Sequence, residues 1–115
     1  LWGSGAPMRE FLHVQDLAEA VVFAVEKRFE ENLYNVGTGV DLTIKSLAEL
    51  IQKITGHEGE IIWDNTKPDG TPRKLMDVSK MTQQGWSAKI NLEDGIRTTY
   101  DWFLNHAHSY KEVKL

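Results

Sequence analysis

At 115 residues, 41% apolar and 26% charged, the chain fits one globular domain or a piece of one, with enough apolar side chains for a core. A formal charge of −4 argues against a general nucleic-acid partner, so any anion site must come from a few placed cations. Cysteine is absent, which excludes disulfides, thiolate catalysis and cysteine-bound zinc and fits a reducing cytosol. The longest apolar run, Ala20 to Val25, is too short to span a bilayer, and no signal-peptide pattern opens the chain. The opening Leu1-Trp2-Gly3-Ser4-Gly5 reads like the middle of something longer, so a larger parent is expected.

In chain order, Met8 to Val14 is rich in extended-chain formers and predicts a short strand. Asp16 is expected to cap the helix that follows, with Glu19 in the capping-box position. Leu17, Ala20, Val21, Ala24 and Val25 form its stripe; Val22 and Phe23 widen it, so burial on more than one side is expected. Leu33 to Val36 predicts a second strand that stops at Gly37-Thr38-Gly39. Thr43 opens a second helix, with Ile44, Leu47, Ala48, Ile51 and Ile54 at helical spacing and Gly56 as its left-handed stop. Glu60 to Asp64 predicts a third strand. A Pro/Gly loop follows, then a short helix over 77–84 closed by Gly85. Asn91 caps a last helix with Leu92, Ile96, Tyr100 and Phe103 on its inner face, and a polar, frayed tail follows Asn105. The fold class is therefore α/β, or a small α+β lobe, with few short strands, about four helices and parallel pairing expected. So meagre a sheet either stands alone or borrows strands from a missing partner.

Several motif-like segments fall short. Gly37-Thr38-Gly39 begins like a dinucleotide fingerprint, but Leu42 stands where the third glycine belongs, and Gly3-Ser4-Gly5 fails similarly at Met8. The two glycines of the first segment fit a sharp turn instead. Tyr110 and Lys114 have Y-x-x-x-K spacing beyond the last apolar periodicity, where chance explains it. His106 and His108 lack the further ligands a metal needs, and His13 fits a satisfied buried histidine.

Two proline-stiffened segments remain: Trp2 to Arg9, and Lys67-Pro68-Asp69-Gly70-Thr71-Pro72-Arg73-Lys74. Stiff loops ending in cations hold their donors with little ordering cost on binding. Trp2 can stack on a base or wall a sugar; Arg9, Arg73 and Lys74 can hold phosphates; Asp69 can accept from hydroxyl or amide donors. These types suit a nucleotide diphosphate sugar, although residue types alone fit two ordinary solvated surface turns better.

Trp2 to Val14, then Tyr34 to Gly39, then Lys67 through Asp77 closely resemble the GDP-L-fucose synthases, which are extended short-chain dehydrogenases/reductases. The resemblance runs from Trp2 to about Asn105. R-E-F-x-H-V-x-D-L is shared loosely with other nucleotide-sugar epimerases and dehydratases, whereas K-P-D-G-T-P-R-K favours the fucose synthase branch. It implies that residues 1–115 are a C-terminal substrate domain, without the N-terminal Rossmann domain that binds NADP. It implies an enzyme that epimerises C3 and C5 of GDP-4-keto-6-deoxy-D-mannose and reduces C4 with NADPH. The catalytic set then lies upstream of Trp2, and this piece alone is expected to be inactive. By the same likeness Trp2, Arg9, Asp69 and Lys74 match substrate-contacting positions, with Arg73 a weaker match beside them. A GDP-sugar, no nucleic acid, no membrane, a homodimeric parent and a cytoplasmic setting are the expected partners and place. The alternatives are a fragment of another nucleotide-sugar epimerase or dehydratase, and a free-standing α/β binding module.

Overall fold

The computed structural model describes residues 1–29 and 31–106. It contains strand β1 (Met8–Glu10), helix α1 (Val14–Lys27), strand β2 (Asp41–Thr43), helix α2 (Ile44–Thr55), strand β3 (Arg73–Lys74), and helices α3 (Ser79–Gln84) and α4 (Leu92–His106). The four helices and the α/β class agree with the sequence reading. The sheet is mixed, in the order β2-β1-β3, with β1 antiparallel to β2 and parallel to β3.

The strands differ most from expectation. The extended run from Met8 pairs only as far as Glu10. Residues 33–36 form no strand; Tyr34 and Val36 pack against the core, and the Tyr34 ring lies 4.2 Å from that of Phe29. Of 60–64, only Asp64 pairs, in an isolated parallel bridge to Trp2. Two of the three true strands lie in segments read as turn or loop. Strands of two or three residues are too short for alternation to reveal them.

The start of α1 is a second correction. His13, not Asp16, is the N-cap, its Nδ1 accepting from the Gln15 N–H at 3.2 Å. Asp16 points away from its own helix and accepts from the backbone N–H groups of Lys89 and Ile90 at 3.2 and 3.0 Å. It is only 2% exposed, and it ties α1 to the turn before α4. Glu19 pairs with Lys89 Nζ rather than closing a capping box.

Elsewhere the caps follow the sequence. Thr43 Oγ1 accepts from Ser46 N–H at 3.0 Å, and Gly56 ends α2 at φ +69°. Asn91 Oδ1 accepts from Asp94 N–H at 2.9 Å, and Gly85 ends α3 in the left-handed region. Each satisfies backbone groups that a helix end would otherwise leave unpaired.

The fully buried core is small: Ala20, Met81 and Trp86, with Leu12, Phe23, Phe29, Tyr34, Val36 and Ala88 packed against it. The second layer is α2 against α4. Burial of α1 on more than one side is not found: Val14, Leu17, Val21, Val22 and Val25 are exposed, because nothing among the described residues covers that face.

Candidate functional site

Register on the short sheet decides which charges meet. β1 sets Met8 opposite Arg73 and Arg9 opposite Lys74 on one side, and Arg9 opposite Leu42 and Glu10 opposite Asp41 on the other. Because successive strand residues face opposite ways, Arg9, Lys74 and Leu42 share one face. Met8, Glu10, Asp41 and Arg73 share the other. Two cations 65 positions apart in sequence thus stand side by side. Among the described residues, neither Arg9 nor Lys74 has an ion-pair partner.

The loop over 67–72 folds onto the first segment beside them. Asp69 accepts from the Ser4 N–H at 2.8 Å and from the Ser4 hydroxyl at 2.6 Å, which holds its pKa below the ordinary Asp value. Lys67 Nζ lies 5.6 Å from the centroid of the Trp2 ring, a cation–π distance. Trp2 is 78% exposed, while its backbone neighbours are fixed: Gly3 N–H donates to Asp64 O at 3.0 Å and Asp64 N–H to Leu1 O at 2.7 Å. Gly70 lies against Arg9, since a Cβ there would sit 3.1 Å from Nη2. Arg9 Nη1 donates to Met8 O at 2.6 Å, which holds the guanidinium close to the strand. Trp2, Lys67 and Asp69 therefore adjoin the Arg9–Lys74 strand pair through Gly70, with a flat apolar ring in one loop and, beside it, two cations that have no ion-pair partner among the described residues.

Arg73 is placed differently. It reaches across β1 to Asp41, with Nε to Oδ2 at 2.6 Å and Nη2 to Oδ1 at 3.0 Å. This two-point bond lowers the pKa of Asp41 and raises that of Arg73.

The Gly37-Thr38-Gly39 turn is closed around an internal anion. Glu10 accepts from Gly39 N–H at 2.6 Å and Thr38 Oγ1 at 3.3 Å, and from Met76 N–H at 3.2 Å. A side chain at position 37 would strike that carboxylate, which explains the glycine. The Gly39 N–H is therefore engaged within the fold. Sequence reasoning missed Glu10, Ser4, Lys67 and Asp41 because each acts through a partner distant in sequence. The two segments that carry Ser4 and Lys67 were singled out; their pairing was not.

His13 caps α1, and its Nε2 lies 3.5 Å from Thr98 Oγ1. His106 stacks on Trp102 at 4.6 Å. His108, Tyr110 and Lys114 lie outside the described residues. Among the described residues, no group of three or more His, Asp and Glu could hold a metal, and no helix is long and apolar enough to cross a membrane. An apolar cleft of about 590 Å³ lies between α2 and α4, lined by Phe11, Leu47, Ile51, Tyr100 and Phe103 among others, and by none of the five assigned residues.

Residues 1–37 match the NAD dependent epimerase/dehydratase family. A putative GDP-L-fucose synthase 2 of Arabidopsis thaliana is 53% identical over 112 residues, which is 97% of this chain and 34% of that protein. The GDP-L-fucose synthase of Escherichia coli K12 is 48% identical over 96% of this chain and 37% of its own length. Over nearly its whole length the chain is similar to GDP-L-fucose synthases. It spans about a third of the length of these curated relatives. The fold agrees: MlghC, a GDP-mannoheptose C4 reductase from Campylobacter jejuni solved with NADP bound, superposes with a TM-score of 0.79 at 36% identity, over 90% of this chain and 34% of that one. The likeness to GDP-L-fucose synthases therefore extends beyond the three segments that suggested it.

Proposed function

We propose that this chain is the GDP-sugar-binding part of a GDP-L-fucose synthase, an enzyme that converts GDP-4-keto-6-deoxy-D-mannose to GDP-L-fucose by 3,5-epimerisation and NADPH-dependent 4-keto reduction. The observation that carries it is the pairing of Arg9 with Lys74 on one sheet face, beside the Trp2–Lys67–Asp69 loop. Arg9 offers two parallel donors to a phosphate, and Lys74 adds a point charge to the same diphosphate. Trp2 supplies a flat wall for a base or sugar, stiffened on one side by Lys67. Asp69 stands between them, able to accept from a ligand on lone pairs that Ser4 leaves open.

Such a site fixes the nucleotide end, and remote binding energy assists chemistry only when the reacting groups are joined to it. The Gly37-Thr38-Gly39 turn does not complete an NADP fingerprint: Leu42 replaces the third glycine, and the Gly39 N–H is held by Glu10. Cofactor binding and the acid, base and tyrosine proton donor are assigned to the portion of the relatives that this chain does not span. A cytosolic setting suits this biosynthetic role and the absence of cysteine.

Calorimetric titration with GDP-fucose, GDP and UDP tests the reading. The chain is expected to take up both guanosine ligands and to prefer them over UDP. Losing a charge-assisted contact in Arg9→Ala or Lys74→Ala should weaken GDP binding about tenfold or more. Unchanged affinity in both variants refutes the site. NADPH oxidation by the chain alone with the keto sugar refutes the division of labour.

A further inference from the structure

We propose that Arg73 is a positioning residue rather than a ligand contact, and that with Asp41 it forms the clamp that presents Lys74 to the diphosphate. This rests on the function proposed above and says how its site is held. Arg73 and Lys74 are consecutive cations in a loop expected to meet an anion, so residue type cannot say which one meets it. The sheet can. Strand β3 is only two residues long, and its two side chains face opposite ways. Lys74 stands opposite Arg9, while Arg73 stands opposite Met8, on the face that also carries Asp41.

Arg73 crosses over β1 and grips the carboxylate of Asp41 on the far strand with two bonds, at 2.6 and 3.0 Å. The carboxylate side chain is 6% exposed, so the anchor end of the pair is covered while the guanidinium is reached by solvent. A two-residue strand has few ladder bonds to fix its register; the Met8 N–H to Pro72 O bond at 2.8 Å is one of them. The clamp spans all three strands and ties β3 to β2. It depends on the fork geometry of a guanidinium, which an ammonium does not reproduce. Asp41 is held ionised by the same bonds that hold Arg73, so the clamp is charged on both sides across neutral pH.

Two readouts decide the matter: GDP titration, and hydrogen exchange at the Met8 amide, which needs no ligand. Arg73→Ala and Asp41→Asn should each weaken GDP binding by about fivefold and speed Met8 exchange, with Arg73→Lys between these and the unaltered chain. If Arg73 instead touched the ligand, Asp41→Asn would free its guanidinium, and GDP affinity would hold or rise while Arg73→Ala lost it. That pattern overturns the proposal. If the unaltered chain takes up no GDP, the proposed function fails, and the exchange data then decide for the clamp alone. Faster Met8 exchange in both variants supports it, and unchanged exchange in both overturns it.

Discussion

Removing the Asp16 carboxylate should destabilise this chain more than removing any exposed ion pair. Asp16 is 2% exposed and accepts from two backbone N–H groups, of Lys89 and Ile90. Asp16→Ala leaves both donors without an acceptor. An unsatisfied buried donor costs about 1–3 kcal/mol, and bonds to a charged acceptor lie toward the upper end. Lys89 is exposed and Ile90 half-buried, so water recovers part of the loss at the first. Alanine also improves helix propensity by a few tenths of a kcal/mol. The expected net cost is about 3 kcal/mol, a large share of the ~5–15 kcal/mol that holds a typical domain. Asp16→Asn should cost nearly as much, because its amide turns a donor toward one of the two N–H groups. Urea unfolding followed by circular dichroism at 222 nm gives the stability. Hydrogen exchange at the Lys89 and Ile90 amides gives the location. A loss under about 1 kcal/mol would refute the reasoning, since it would leave each bond worth less than a typical exposed one. So would a larger loss without faster exchange at those two amides.

Gly5→Ala should cost at least about 2 kcal/mol, because position 5 has φ +76° and a Cβ there would meet the Trp63 ring at 2.7 Å; a neutral result by thermal unfolding would show that the ring moves freely. Asp69 and Asp41 have lowered folded-state pKa values, the first through the Ser4 hydroxyl and N–H, the second through Arg73. Their stabilisation is therefore full above the unfolded value near 3.9 and is lost as pH falls through the folded values, so affinity for GDP-fucose, whose diphosphate has no terminal ionisation near pH 6, should hold down to about pH 5 and fall only in stronger acid. Carboxyl carbon titrations by NMR should place both midpoints below the ordinary value, and a midpoint above it for either residue contradicts the assigned bonds.

What the sequence revealed followed from the range over which each interaction acts. Helix α2 was legible because its cap, stripe and stop all lie within one segment: Thr43, Ile44 to Ile54, Gly56. The Asn91 cap and the Gly85 stop were legible for the same reason. The N-cap of α1 was misread because Asp16 and His13 both carry acceptors, and a buried contact 73 residues away decides between them. Strands β2 and β3 were missed because three and two residues cannot display alternation, and pairing with β1 alone makes them strands. At the site, the residue types and the two loops were visible from spacing and resemblance. Invisible were the partners that hold them: Ser4 under Asp69, Glu10 inside the glycine turn, Asp41 under Arg73.

Those hidden partners share one consequence. On a strand as short as β1, a slip of one position exchanges Arg9 for Met8 or Glu10 on the Lys74 face. With Glu10 there, a carboxylate would stand where the diphosphate is proposed to bind, and the site would repel its ligand. Hydrophobic alternation cannot prevent such a slip in three residues that are all half-buried. Polar contacts do so instead. Glu10 can reach the Gly39 and Met76 amides only from the face it occupies, and Arg73 can reach Asp41 only from that same face. A slip of β1 breaks the Glu10 bonds at once, while the Arg73–Asp41 clamp keeps β2 and β3 in fixed relation around it. The charged groups on the side of the sheet that faces away from the proposed ligand therefore determine which charges face toward it. Substitutions at Glu10 or Asp41 should lower anion affinity without either residue touching the anion.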